Sequence, residues 1–144
     1  MRNDRGVTLV ELAVVVAILT LGIGLVAPVL GDVLPGLRLQ GATAELYGAL
    51  HATRARAEKS GVIHAFVVEA DGRGFRIVAD PTGASITVEG PQALVDGVMA
   101  TANAAIRFTP RGYAVPAGTI TVRSGEEARR VIVNILGRVR IAPG

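Results

Sequence analysis

Residues 5–30, RGVTLVELAVVVAILTLGIGLVAPVL, decide how the rest of the chain is read. Arg2, Asp4 and Arg5 lead up to Gly6, and from there to residue 30 the only charged side chain is Glu11. A helix rises about 1.5 Å per residue, so the stretch 7–30 extends roughly 36 Å, enough for a hydrocarbon core of about 30 Å. The chain is expected to span a membrane once. Because loops rich in Lys and Arg stay cytoplasmic, Arg2 and Arg5 put the N-terminus inside and the bulk of the protein across the membrane.

Glu11 is the costly residue. An acidic side chain loses roughly 2.5–3.5 kcal/mol at the centre of an inserted helix and less near the interface, and this one has no partner on the apolar face. A cut after Gly6 would create an α-amine at Val7, four residues before Glu11. The amine of one copy would then neutralise the carboxylate of its neighbour when helices pack out of water, which makes Glu11 an assembly device.

The run Gly6, Val7, Thr8, Leu9, Val10, Glu11, Leu12 resembles the prepilin peptidase motif of type IV pilins and type II secretion pseudopilins. The resemblance implies removal of the leader 1–6 after Gly6 by prepilin peptidase, methylation of the new N-terminus at Val7, and a guiding role for Glu11 in assembly. Val7 stands where that superfamily usually has phenylalanine, and Pro28 lies where it commonly has proline. Two plainer readings compete: a secretory signal ending near Ala27, and a simple anchor. Signal cores run to 7–15 residues, and this one is longer and carries Glu11 at its head.

The 144 residues leave room for one domain beyond the anchor. Aromatics are 3%, so the core must come from Val, Ile, Leu and Ala, a marginal core that packing against a helix would help. There is no cysteine, which excludes disulfides and thiolate zinc sites. Residues 62–100 carry Glu69, Asp71, Asp80, Glu89 and Asp96 against Arg73 and Arg76. Residues 101–144 carry seven arginines against Glu126 and Glu127, so the basic character belongs to the last third.

Gly31, Pro35, Gly36 and Gly41 predict a kink or local break. Helical spacing resumes through Ala42, Leu46, Ala49, Leu50 and Thr53, and Gly61 marks the end of a helix over 7–60. Beyond it the period becomes that of strands. VIHAFVVEA, the turn DGRG and FRIVA form a hairpin; Pro81, Thr82 and Gly83 turn; 86–88 and 105–108 are strands; 90–103 reads as a loop. Ile120 and Val122 point inward, as do Val131, Val133 and Ile135, and Gly137 bends the chain into 138–141. The expectation is an α+β fold: one long N-terminal helix against an antiparallel β head over 61–144.

The C-terminal half resembles the domain shared by the GspH minor pseudopilin and the FimT-type minor pilins. The matching elements are Phe108, Pro110 and Gly112; Pro116, Gly118 and Thr119; and the G-R-V-R of 137–140. Two roles follow. The first is a minor pseudopilin of the type II secretion system, assembled with other pseudopilins or pilins into a periplasmic fibre that serves protein export, with its helix in the inner membrane and its head in the periplasm. The second is a FimT-like minor pilin of a type IV pilus that captures DNA for uptake in natural transformation, binding it through Arg138 and Arg140, about 7 Å apart on one strand face, with Arg129 and Arg130 adding charge. A solvated edge strand whose charges discourage pairing with another chain explains the same arginines, and they have no aromatic platform beside them. Secretion is therefore the first reading. His51 and His64 have no nucleophile or carboxylate at a motif spacing, and no calcium or phosphate loop is present, so neither an enzyme nor a cofactor is expected.

Overall fold

The computed structural model describes residues 8–80 and 85–144, except for the side chains of 22–32. The leader 1–6, the processing pair Gly6 and Val7, and the turn at Pro81, Thr82 and Gly83 lie outside the described residues. The chain divides into two compact units, Met1–Leu34 and Pro35–Gly144. Helix α1, Leu9–Ser60, contributes to both.

In the first unit the apolar side chains of 9–21 are exposed, Leu9 by 84%. Among the described residues no helix is long and apolar enough to cross a membrane. The described side chains of the apolar run stop at Leu21, so residues 22–30 of the expected span 7–30 are not among those described.

The expected break over 31–41 is corrected: α1 is helical throughout. Pro35 costs the helix one hydrogen bond, about 3 kcal/mol in an interior position. Leu39, Leu46 and Leu50 follow, all fully buried, and each contributes about 1.5–3 kcal/mol. Together with Ala42, Thr43, Thr53 and Ala57 they form one stripe at spacings of three and four. The two buried hydroxyls are satisfied within the helix, Thr43 donating to the Leu39 carbonyl (2.6 Å) and Thr53 to the Ala49 carbonyl (2.7 Å). The helix stops as expected, with the Gly61 N–H on the Ala57 carbonyl at 3.1 Å.

The strands are β1 (Ile63–Val68), β2 (Gly74–Asp80), β3 (Ile86–Ala93), β4 (Val98–Ala102), β5 (Ile106–Phe108), β6 (Gly118–Ser124), β7 (Glu127–Val133) and β8 (Val139–Pro143). They form two four-stranded antiparallel sheets, ordered β3-β2-β1-β5 and β4-β6-β7-β8. The core gathers the helix stripe with Phe66 and Phe75, Ile77, Val98, Ala100, Ile106, Phe108, Ile120, Val122, Val131 and Val133. Phe66 and Phe75 stack across β1 and β2 with ring centroids 4.9 Å apart.

The loop expected over 90–103 is also corrected, since β3 runs to Ala93 and β4 occupies much of the remainder. Strand β3 lies at a sheet edge, where Pro91 needs no ladder partner on its open side. Strand β4 alternates, with Val98 and Ala100 buried and Met99 and Thr101 exposed. Ile135, expected to point inward, is 65% exposed because β7 ends at Val133.

Two glycine turns lock against the helix. Gly112 and Gly137 have φ of +80° and +72°. A Cβ on Gly137 would collide with the Gly112 carbonyl oxygen, and one on Gly112 with the Arg54 and Glu58 side chains. Arg54 donates to the Gly137 carbonyl at 3.2 Å and pairs with Glu58 at 2.9 Å.

Leu50→Ala should lower the stability of the purified chain by about 2–5 kcal/mol in urea unfolding, through the cavity left in the stripe. Gly125 has positive φ but open space around it, so Gly125→Ala should cost about 1–2 kcal/mol. Gly137→Ala should exceed that by roughly a further 1–3 kcal/mol. Equal losses at the two glycines would show that the Gly112–Gly137 contact is dispensable.

Candidate functional site

Glu11 sits in the first turn of α1. Its backbone N–H donates to Thr8 Oγ1 at 3.2 Å, so Thr8 caps the helix and Glu11 stands three residues on, where a carboxylate faces the positive end of the helix dipole. Sequence reasoning missed this local use, although Thr8-x-x-Glu11 is a capping-box pattern. Glu11 makes no ion pair among the described residues. The cap reduces the cost of the carboxylate without neutralising it.

The charges of the head sort by sheet. Arg76 pairs with Glu69 (2.7 Å), Arg107 with Asp80 (2.5 Å) and Arg56 with Glu89, which also accepts from Gln92. The acidic middle third is thus largely neutralised by arginines from α1, β2 and β5. Of the last third's arginines only Arg107 is used in this way among the described residues.

Apart from Arg111 in the turn after β5 and Arg138 just before β8, the second sheet holds the remainder. Residues directly opposite across a ladder share a face. Val131 and Val133 are buried, so Arg130 and Ile132 face outward. Arg140 pairs with Ile132 and therefore joins them. Arg138 lies just before β8 and is exposed, on the same side by alternation, with its N–H on Asn134 Oδ1 at 2.9 Å. Arg129 falls on the other face, opposite Val122 and Pro143, and is half-buried. The four expected arginines are therefore not one cluster, because Arg129 leaves it.

Arg123 takes its place. It is exposed and opposite Ala128, two residues from Arg130, while Arg130 is opposite Ala142, two residues from Arg140. These diagonals are about 7–8 Å each and give a ladder across β6, β7 and β8. No Asp or Glu stands among the outward residues paired in this sheet. The signal for Arg123 was in the sequence: with Ile120 and Val122 inward, Thr121 and Arg123 must face out. Arg130 Nε donates to the Pro143 carbonyl at 3.1 Å, which ties its side chain along β8. His64 is buried with Nδ1 3.0 Å from the Val62 carbonyl, and His51 is exposed beside Tyr47.

The three C-terminal motifs have structural reasons. Gly112 closes its turn on the Thr109 carbonyl at 2.8 Å, Gly118 lets Ile106 approach, and Gly137 packs on Gly112. The first and last of them are thus one contact made twice over in the sequence.

The family of the type II transport protein GspH matches residues 42–137, and the prokaryotic N-terminal methylation motif matches 1–27. No curated protein matches the chain. Among solved structures, the minor pseudopilin EpsH from the type 2 secretion system of Vibrio cholerae superposes with a TM-score of 0.62 at 13% identity, covering 74% of this chain and 97% of that one. The type IV minor pilin FimU of Pseudomonas aeruginosa gives 0.60 at 22% identity, covering 73% and 88%. At these identities the likeness is one of fold, a helix packed on antiparallel sheets. The family match spans well over half of the chain, from the buried stripe of α1 to the glycine turn before β8: this protein belongs to the GspH family and has the pilin-like fold.

Proposed function

We propose that this protein is a minor pseudopilin of a type II secretion system, a structural and non-catalytic subunit of the periplasmic pseudopilus that serves export across the outer membrane. Its leader is cut after Gly6 and the amine of Val7 methylated. The segment 7–30 anchors it in the inner membrane, with the N-terminus cytoplasmic and the head periplasmic. The observation that carries this reading is the exposed apolar face of 9–21 with Glu11 at its head, capped by Thr8 yet in no ion pair among the described residues. An uncovered apolar helix bearing one carboxylate suits a neighbour that brings both apolar surface and a positive charge.

A second reading, DNA binding by a minor pilin, is favoured by one observation: the outward ladder of Arg123, Arg130 and Arg140 with Arg138 beside it, and no carboxylate among the paired outward residues. Guanidinium groups at this spacing suit successive phosphates through bidentate hydrogen bonds.

Glu11→Ala and Glu11→Gln separate charge from capping, because Gln keeps the capping geometry. Both variants should show the wild-type intact mass change on cleavage while co-purification with the other pseudopilins falls at least about tenfold, as expected for an uncompensated charge worth about 1.4 kcal/mol or more. Undiminished co-purification of Glu11→Gln would sink the assembly role. For the second reading, a gel shift at low salt should weaken steeply with added salt and disappear when Arg130, Arg138 and Arg140 are all changed to Ala. A shift that survives the triple change places any DNA contact elsewhere.

A further inference from the structure

Two turns far apart in sequence bring exposed apolar side chains together. The Ala114 N–H donates to the Ile135 carbonyl at 2.9 Å, and around that bond Tyr113, Val115, Ile135 and Leu136 are all exposed. Ile135 and Leu136 are the central residues of a tight turn closed by the Gly137 N–H on the Asn134 carbonyl at 2.9 Å. Such positions ordinarily carry Gly, Asn, Asp or Ser. The core beneath is filled by Ala114 and Val133, which are buried, so the fold itself makes no use of Ile135 or Leu136. A cluster of this kind marks an interaction surface.

The charges at its rim are one-sided. Arg111 and Arg138 flank it, both exposed and in no ion pair among the described residues. Arg54 and Glu58, the other charged groups at these turns, satisfy each other at 2.9 Å.

We propose that the patch of Tyr113, Val115, Ile135 and Leu136, rimmed by Arg111 and Arg138, seats a different subunit of the fibre through an apolar surface edged by carboxylates. The proposal rests on the fibre reading above. Charge and shape choose the occupant. Tyr113 alone offers nucleic acid a stacking plane, while Val115, Ile135 and Leu136 offer neither that nor a phosphate donor, so a polyanion would leave most of the patch unused. A second copy of this chain fits poorly too. On such a copy the cleft of the exposed Val95, Asp96 and Met99 is also lined by Arg73, with Arg38 beside Gly97, so its single carboxylate is outweighed. A partner with carboxylates around an apolar centre answers both the side chains and the rim.

The test uses the full chain, produced in cells together with the other pseudopilins of its secretion system. A photo-crosslinking residue replaces Leu136, and in a reference chain Ile86, which is equally exposed on the edge strand β3. Leu136 should give a cross-linked product whose peptides belong to a different subunit carrying the N-terminal methylation motif, and Ile86 should not. Arg111→Glu with Arg138→Glu should cut the yield at Leu136 at least about fivefold, by placing like charges at the rim. A product containing only this chain, or a cross-link to nucleic acid, overturns the proposal. If the chain still co-purifies with the pseudopilins and Leu136 gives no product, the docking surface is wrong and the fibre reading stands; if co-purification itself is absent, both fall.

Discussion

The head depends on burying one helical stripe. Leu39, Ala42, Leu46, Leu50 and Ala57 provide a continuous apolar edge that neither sheet could supply for itself, with three phenylalanines the only aromatic side chains in the core. Two four-stranded sheets of mostly Val, Ile and Ala would be marginal alone. The stripe joins side chains of both sheets in one buried cluster, and all three phenylalanines are buried in it. The same burial explains why α1 remains helical through Pro35: the leucines that follow contribute more than the one missing hydrogen bond costs.

A second tie comes from the path of the chain. It leaves β4 in the second sheet, adds the three-residue β5 to the first, and returns to the second as β6. Ile106 and Phe108 are completely buried at that crossing. The Phe108 turn then runs straight into the Gly112–Gly137 contact beneath Arg54, so a single stretch joins first sheet, second sheet and helix.

Much of this was legible in the sequence, and the parts that were not share a cause. The helix stripe, its end at Gly61 and the β6–β7 hairpin were readable because their periods are written in Leu, Ile and Val. Strand β4 was not, because Val98-Met99-Ala100-Thr101-Ala102 has small residues inside and an apolar methionine outside, which blurs the alternation. Division into two sheets rests on β1 meeting β5 and β4 meeting β6, pairings between distant segments that no local pattern announces. Of the site, the G-R-V-R arginines and Glu11 could be picked out by composition and motif. The split between Arg129 and Arg130 and the inclusion of Arg123 follow from alternation once the inward residues are fixed. The Thr8 cap was a local pattern left unread. The meeting of Tyr113 and Val115 with Ile135 and Leu136 had no sequence signature, because two glycine turns make it.

The same accounting of charge tells which surfaces are left to act. On the first sheet, arginines from α1, β2 and β5 take up Glu69, Asp80 and Glu89, so that face has little field to offer a partner. The second sheet keeps its arginines, and they lie beside an apolar patch that shares Arg138 with them. A partner seated on the two turns covers Arg138 and leaves Arg123 and Arg130 open; a polyanion laid along the ladder covers those two and leaves Ile135 and Leu136 wet. The surfaces adjoin but draw on different physics. Raising salt weakens the ladder steeply through released counterions, while at the turns it screens only the rim arginines and leaves the apolar burial in place. Ionic strength therefore separates the two uses of one arginine-rich edge without any change to the chain.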